Sequence, residues 1–253
     1  VTGDGFVAGE VSDIKATGSA TLVDDGEVTN AITFTTGEKF NEKNYTITKN
    51  EGKLSITKRT DIIVITTPTR SRAYNGRKLL DYSCTYTGTI ADGDELIMTF
   101  PEDDGLINAG SKPNQYERYR VERKSDGRDV TNNYTFGESI IGTLTVTPVA
   151  IELTAASDSK AYDGTPLTNS NYTITNGAFV DDEGLAAVTI AGSQTLVGAS
   201  ANTITGHTLK EGTLAQNYTI TYQLGELKVT QNEKAITVTA NSHTWEYDGQ
   251  PHS

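Results

Sequence analysis

The chain has 253 residues, with 33 acidic and 21 basic side chains and a formal net charge of −12 at pH 7. A chain this acidic does not present the clustered Lys and Arg that binding to nucleic acid or to an anionic membrane requires. The single cysteine, Cys84, excludes an intramolecular disulfide and a thiolate metal site. No run of about 18 apolar residues predicts a transmembrane helix.

Three short motifs recur in the same order along the chain, which indicates internal repetition. The first is Ala/Glu-Tyr-Asp/Asn-Gly, at Tyr74 and Gly76, Tyr162 and Gly164, and Tyr247 and Gly249, with tyrosines 88 and 85 residues apart. The second is Asn-Tyr-Thr, at Tyr45, Tyr134 and Tyr218. The third is Gly-x-Leu-x-Ile/Val-Thr, which begins at Gly52, Gly142 and Gly225. These spacings predict a tandem array with a period of about 86 residues.

The frame of these motifs predicts four segments. Residues 1–59 match the later two thirds of a unit, because Thr17–Val23 aligns without a gap over Ala191–Val197. Residues 60–148 and 149–230 are complete units, and residues 231–253 are the first strand and turn of another. We expect both ends to continue into further sequence, and the joints are too short to act as flexible tethers.

Apolar and polar residues alternate within each unit, which favours half-buried β strands. Leu54 and Ile56, Leu144 and Val146, and Leu227 and Val229 follow this period of two. Gly, Asn and Asp interrupt the strands at short intervals, as in hairpin turns. The prediction is a mostly β, elongated array of units of about 85 residues, without a helix longer than two turns.

The motifs together resemble a known family. Tyr-Asp-Gly, Gly-Ser-x-Thr-Leu-Val at 192–197, Asp-Gly-Arg-Asp-Val-Thr-Asn-Asn-Tyr-Thr at 126–135 and the closing Gly-x-Leu-x-Val-Thr are similar to the mostly-beta-grasp (MBG) and YDG-type repeats of Gram-positive surface, adhesin-like proteins. The resemblance implies a β-grasp-like unit, with an Ig-like β-sandwich as the alternative. It also implies a location at the cell surface, wall attachment through a segment outside this chain, and no catalytic residues.

The tyrosine and asparagine motifs each allow two interpretations. The tyrosines before Asn/Asp-Gly turns suit a sugar-binding platform, but such rings more often pack over the end of a hairpin. Asn-Tyr-Thr is formally a glycosylation acceptor. Its recurrence at one position in each unit instead favours a role at the entry to a strand.

Acidic clusters beside glycine raise the question of calcium. Asp92, Asp94 and Glu95 are the weak candidates, because Ca²⁺ is bound by several carboxylate and carbonyl oxygens. None of the clusters follows the twelve-residue calcium loop, so a solvated turn is the favoured interpretation and no metal site is predicted.

An enzyme is not predicted. The three histidines, His207, His243 and His252, form no metal-ligand motif. The sequence contains no nucleophile elbow and no phosphate loop, and Cys84 has no neighbouring histidine. We therefore expect no cofactor.

One candidate binding site follows from the distribution of arginine. Seven of the eight arginines lie between residues 60 and 148. The candidate residues combine guanidinium and phenol groups, which suit a sulfated or sialylated glycan or an acidic protein surface: Tyr116, Arg118, Tyr119, Arg120 and Arg123. The alternative is that these arginines pair within the chain, with Glu117, Glu122, Asp126 and Asp129 as partners.

Two functions remain open from the sequence. One is a stalk, spacer or fibre-forming segment outside the cell, with neighbouring repeats as its partners. The other is an adhesin module that binds host glycan, mucin or protein through the arginine-rich unit. A further hypothesis is head-to-tail self-association, in which residues 235–249 of one chain complete residues 1–59 of another by strand addition.

Overall fold

The computed structural model describes all residues from 1 to 253, and the chain is mostly β, as the alternating pattern predicts. It contains nineteen strands and four 3₁₀ helices of three residues each, and none of these helices has the length to cross a bilayer. The chain forms two compact units. The first contains Val1–Arg72 and Arg77–Thr147, and the second contains Ala73–Gly76 and Pro148–Ser253.

Short strands build several small sheets in the first unit. β1 pairs with β3, β2 with β4 and β8 with β10, while β11-β5-β7 and β6-β12-β9 form three-stranded sheets. The strands are β1 (Val11–Ala16), β2 (Val28–Asn30), β3 (Ile32–Thr36), β4 (Gly52–Leu54), β5 (Ile62–Thr66), β6 (Arg70–Ala73), β7 (Thr85–Thr87), β8 (Asp94–Thr99), β9 (Gly110–Pro113), β10 (Arg118–Arg123), β11 (Thr135–Phe136) and β12 (Thr143–Thr147). The 3₁₀ helices here are Val23–Asp25, Glu42–Asn44 and Thr131–Asn133.

The second unit has two larger sheets, in the orders β15-β13-β18 and β14-β19-β17-β16. Its strands are β13 (Val149–Ala155), β14 (Asp158–Ala161), β15 (Tyr172–Asn176), β16 (Leu185–Ala191), β17 (Gly198–Leu209), β18 (Tyr218–Gln223) and β19 (Gly225–Thr230). The 3₁₀ helix Ala215–Asn217 precedes β18.

Each unit has a central strand whose inward side chains are fully buried. β5 pairs in parallel with β11 and antiparallel with β7, and β13 pairs in the same way with β18 and β15. Ile63 and Ile65 on β5, and Ile151 and Leu153 on β13, are at most 1% exposed. Alternate residues of a strand point to one face, so this burial follows directly from the spacing of the apolar residues.

The closing motif forms a strand in each of its three copies, but not to the same extent. Leu144 and Val146 on β12 are buried, as are Leu227 and Val229 on β19. Ile56, by contrast, lies beyond the end of β4 and is 38% exposed. The chain opposite it turns into the 3₁₀ helix Val23–Asp25, so no strand is available to extend the pairing.

Residues before and after position 60 share one core in the first unit. The cluster comprises Leu22, Ile63, Val121, Val130 and Tyr134, with Ile90, Leu96 and Phe136 packed against it. Two hydrogen bonds accompany this packing. The Val23 N–H donates to Oδ1 of Asn133, and Nδ2 of Asn132 donates to Oδ1 of Asp24, each at 2.9 Å.

Candidate functional site

The predicted arginine and tyrosine site lies on the two-stranded β8–β10 sheet. The two strands are antiparallel, with register from Arg118 opposite Thr99 to Arg123 opposite Asp94. Because side chains alternate along a strand, Arg118 and Arg120 share one face and Tyr119 lies on the other. The buried Val121 marks the second face as the one toward the core.

The outer face of β10 contains one paired and one unpaired guanidinium. Arg120 donates to Oε2 of Glu122 from Nε at 3.0 Å and from Nη2 at 2.5 Å. Arg118 donates only to the Thr99 hydroxyl, at 3.5 Å, and no carboxylate lies within ion-pair distance of it. Hydrogen bonds from Thr131 lower the pKa of the Asp129 carboxyl, and the positive charge of Arg120 adds to this effect.

Arg123 and the two tyrosines are not part of that outer face. Arg123 approaches Asp126 in the following turn, with 3.6 Å between Nη1 and Oδ2. Tyr119 packs on Phe136 with ring centroids 4.4 Å apart, and Tyr116 meets Tyr119 edge-on at 6.0 Å. The structure therefore divides the five predicted residues, and Arg118 with Arg120 is the part that faces outward.

The calcium candidates are also separated. Asp94 and Glu95 are neighbours on β8 and point to opposite faces, while the carbonyl of Asp92 accepts a hydrogen bond from Nζ of Lys124 at 3.0 Å. No group of three His, Cys, Asp or Glu side chains in the chain is placed to hold a metal ion. The Asp94 carboxylate instead accepts a hydrogen bond from the Tyr134 hydroxyl at 2.6 Å.

This contact belongs to an arrangement that occurs three times, which we call the tyrosine clamp. In each clamp, the tyrosine of Asn-Tyr-Thr donates its hydroxyl proton to a carboxylate. The tyrosine hydroxyl oxygen also accepts a hydrogen bond from the backbone N–H of the residue three positions before the acidic residue. A backbone hydrogen bond of the turn joins that residue to the acidic residue. The clamps are Tyr45 with Glu10 and Val7 N–H (3.0 Å), Tyr134 with Asp94 and Ala91 N–H (3.2 Å), and Tyr218 with Glu183 and Val180 N–H (3.0 Å).

The clamps hold the phenol groups in their neutral form. A hydrogen bond to Glu10 raises the pKa of Tyr45. Burial, followed by the hydrogen bond to the carboxylate, raises the pKa of Tyr134 and of Tyr218. Because each hydroxyl both donates and accepts, its polar group is satisfied at the edge of the core, which avoids the cost of an unpaired buried group.

Glu183 accepts a second tyrosine within the second unit. The Tyr74 hydroxyl donates to Oε1 at 2.6 Å, and the Tyr74 ring meets the Tyr218 ring edge-on at 5.8 Å. The hydrogen bond to Glu183, assisted by burial, raises the pKa of Tyr74 to about 12. Tyr74 is 6% exposed, whereas Tyr162 is 37% and Tyr247 is 99% exposed.

The turns after these three tyrosines share one backbone feature. Gly76, Gly164 and Gly249 have φ angles of 72°, 84° and 75°. This left-handed conformation favours glycine, because other residues suffer contact with their own Cβ there. The motif therefore fixes the turn in all three copies, while the surroundings of the tyrosine ring differ.

The remaining chemically active side chains do not converge. Burial raises the pKa of the Cys84 thiol, which keeps it protonated and a poor nucleophile. His207 shares a hydrogen bond with the Tyr222 hydroxyl at 2.5 Å, through Nδ1. His243 and His252 both stack on Trp245.

Comparison with known proteins gave no relative: no protein-family model matches the chain, and no curated protein matches its sequence. The three tyrosine clamps and the exposed guanidinium of Arg118 on β10 are the features of the chain that point to a function.

Proposed function

We propose that this chain is a non-catalytic spacer segment of an extracellular surface protein, built from similar β-rich units in series. The observation that carries the proposal is the tyrosine clamp, which occurs in residues 1–59, 60–148 and 149–230 with the same donor, acceptor and turn. Three copies of one hydrogen-bond network are expected when one fold is repeated.

The order of strand pairing supports the same proposal. The central strands β5 and β13 have equivalent partners, and β12 pairs with β9 as β19 pairs with the first part of β17. The β8–β10 pair corresponds to β16 with the later part of β17. The parallel pairing of each central strand favours a β-grasp-like unit over the antiparallel Ig-like sandwich.

A spacer requires units that are individually rigid, soluble and closely joined. The clamp satisfies polar groups at one end of each central strand, and the net charge of −12 keeps the surface hydrated. The Leu22 side chain, 3% exposed in a core built mostly by residues 60–148, gives a physical basis for coupling between residues 1–59 and residues 60–148. The proposal includes extracellular location and wall attachment because the sequence motifs resemble those of surface-protein repeats.

Small-angle X-ray scattering of the full chain tests the spacer function. Each unit of about 85 residues should add roughly 30 to 40 Å to the longest dimension. The expected result is a skewed pair-distance distribution with the cross-section of one unit. A symmetric distribution, as for a single globule of 253 residues, would contradict the proposal.

An adhesin role is the second candidate, and it depends on Arg118. Its guanidinium is exposed and has no carboxylate partner, so it is available to a sulfate or carboxylate group. Binding of sulfated and sialylated glycans should weaken at least fivefold in Arg118→Ala. It should persist in Arg70→Ala, a control whose guanidinium already pairs with Asp81 at 2.6 Å. Equal loss in both variants would count against this site.

A further inference from the structure

β18 lies at one edge of its sheet and leaves one side of its backbone unpaired. The sheet has the order β15-β13-β18, and β18 pairs in parallel with β13 from Tyr218 to Gln223 without a break in register. No other strand or isolated bridge pairs with these residues. Every second residue of β18 therefore points its N–H and C=O groups away from β13, where a further strand could accept them.

The features that usually protect an edge strand are absent from β18. Natural edge strands carry charged side chains, proline or bulges, which prevent other strands from pairing with them. In the second unit, the edge strand β14 carries Asp158 and Lys160, and the edge strands β15 and β16 pair with an irregular register. The register of β18 is regular, and no charged residue or proline occurs between Glu211 and Glu226. A second strand can therefore approach β18 without meeting a charge or a proline on it.

The sequence of β18 reads the same in both directions. Tyr218 to Tyr222 is Tyr-Thr-Ile-Thr-Tyr, with Ile220 at its centre. Antiparallel pairing of two copies about Ile220 places Thr219 of each copy opposite Thr221 of the other, and it places Tyr218 opposite Tyr222. Threonine, β-branched and aromatic pairs of this kind stabilise antiparallel strands. The edge is thus complementary to itself, which a two-fold symmetric interface requires.

The side chains at this edge are accessible. Thr219 and Thr221 are exposed on the outer face of the sheet. Tyr222 is on the inner face beside Leu153, yet it is 38% exposed because it lies at the edge. Its hydroxyl shares a hydrogen bond with His207, which holds the ring in one position. A side chain that is already ordered loses little conformational freedom when a partner binds.

The corresponding strand of residues 60–148 is an edge without this self-complementarity. β11 and β18 both begin at or just after the tyrosine of their Asn-Tyr-Thr motif, and each lies at the edge of its sheet. β11 has only two residues, and Gly137 and Glu138 follow it where β18 continues with Thr221 and Tyr222. The edge position is therefore common to the two segments, whereas the uncharged, symmetric sequence occurs only in β18 of these two strands.

We propose that β18 is a self-association site through which two copies of this chain form a dimer. The two β18 strands pair antiparallel about Ile220 and join the β15-β13-β18 sheets of the two copies into one. Because both copies use the same edge, the association is complete with two chains. This dimer goes beyond the spacer function and does not depend on it, since it requires only the edge of one sheet.

Two variants with the same substitutions at opposite edges of the sheet test the site. Thr219→Lys with Thr221→Lys places lysines opposite each other in the dimer, where like charges destabilise the strand pair. Thr173→Lys with Thr175→Lys on β15 is the matched control. It changes two exposed threonines of the same Thr-Ile-Thr sequence at the other edge.

Sedimentation velocity over a range of concentrations measures the association, with circular dichroism to confirm that each variant is folded. The unmodified chain and the β15 variant should form dimers, and nothing larger, as concentration rises. The β18 lysine variant should remain a single chain. Tyr222→Glu should do the same, because it introduces at this edge the carboxylate that Glu138 provides after β11.

Hydrogen–deuterium exchange tests the unmodified chain without any substitution. The β18 amides that point away from β13 should exchange about fivefold more slowly at concentrations where the chain is dimeric than where it is single. The amides of β15 should exchange at the same rate at both concentrations. This measurement decides the question even where a β18 variant does not fold.

Several results would overturn the proposal: an unmodified chain that stays single at every concentration, dimers of a folded β18 variant, or loss of dimers in the folded β15 variant. Species larger than dimers, or exchange at β18 that does not change with concentration, would do the same. Scattering from the β18 lysine variant reports the shape of the single chain. The spacer function can therefore fail while self-association holds, and the reverse.

Discussion

The Tyr218 hydroxyl donates a hydrogen bond to Oε2 of Glu183 across 35 residues of sequence. It thereby joins the turn before β16 to the first residue of β18, the strand that pairs in parallel with the central β13. Tyr134 with Asp94 and Tyr45 with Glu10 make the same connection in the first unit. The clamp thus couples the turn between two sheets to the edge of a core.

Removal of one clamp hydroxyl should destabilise its unit. In Tyr134→Phe, the Ala91 N–H and the Asp94 carboxylate both lose a partner close to the core. We expect a loss of about 1–3 kcal/mol in the free energy of unfolding, measured by urea denaturation. Tyr86→Phe is the control, because this tyrosine is 45% exposed, and it should change stability by less than about 0.5 kcal/mol. Similar losses in both variants would show that the clamp is not stabilising.

Stability should decline at alkaline pH because Tyr74, the second tyrosine that donates to Glu183, loses its proton. The pKa of Tyr74 is raised to about 12 from its ordinary value of 10.0. The unfolded chain therefore loses this proton first, so the contribution is complete below pH 10 and is lost as pH rises toward 12. Urea midpoints between these pH values should fall less steeply in Tyr74→Phe than in the unmodified chain. Tyr162→Phe, at the equivalent but exposed position, should leave the slope unchanged.

The sequence contained both halves of the clamp but not their connection. Asn-Tyr-Thr is visible as a recurrent motif, and Asp94 belongs to the acidic cluster that the sequence offers as a weak calcium candidate. The tyrosine and its carboxylate are 40 residues apart in one clamp and 35 residues apart in the other two, and the acid changes between Asp and Glu. A contact of this kind depends on the strand pairing that brings the turn to the tyrosine, so spacing alone does not predict it.

The arginine site, too, could be predicted from the sequence only in part. Alternation along β10 was sufficient to place Arg118 and Arg120 on one face, as the structure has them. Composition did not indicate that Arg120 pairs with Glu122, two residues away on the same face, rather than across strands. Side-chain pairing on a strand depends on rotamers, which the one-dimensional pattern does not specify.

Leu22 should contribute strongly to stability, although it lies outside residues 60–148, which build most of the core that it packs in. Leu22→Ala removes a side chain that is 3% exposed and contacts the core built by Ile63, Val121 and Tyr134. We expect a loss of about 2–4 kcal/mol, from lost burial and the resulting cavity. Leu196 is the matched control, because it aligns with Leu22 in Thr-Leu-Val but is 68% exposed. Leu196→Ala should cost less than about 0.5 kcal/mol, and equal effects would show that the shared core is absent in solution.

Replacement of glycine by alanine should destabilise the chain at Gly142 but not at Gly52, although both begin the closing motif. Gly142→Ala brings Cβ to within 2.3 Å of the Pro68 carbonyl, so the backbone next to β5 must move, at a cost of about 3 kcal/mol. Gly52→Ala meets nothing closer than 4.0 Å and should leave the urea midpoint of the single chain unchanged. The two variants carry the same chemical change in the same motif, so helix and strand propensities cancel in the comparison. If Gly52→Ala proved as destabilising as Gly142→Ala, backbone would have to press on Gly52 in solution as it does on Gly142, and the contrast between the two glycines would be wrong.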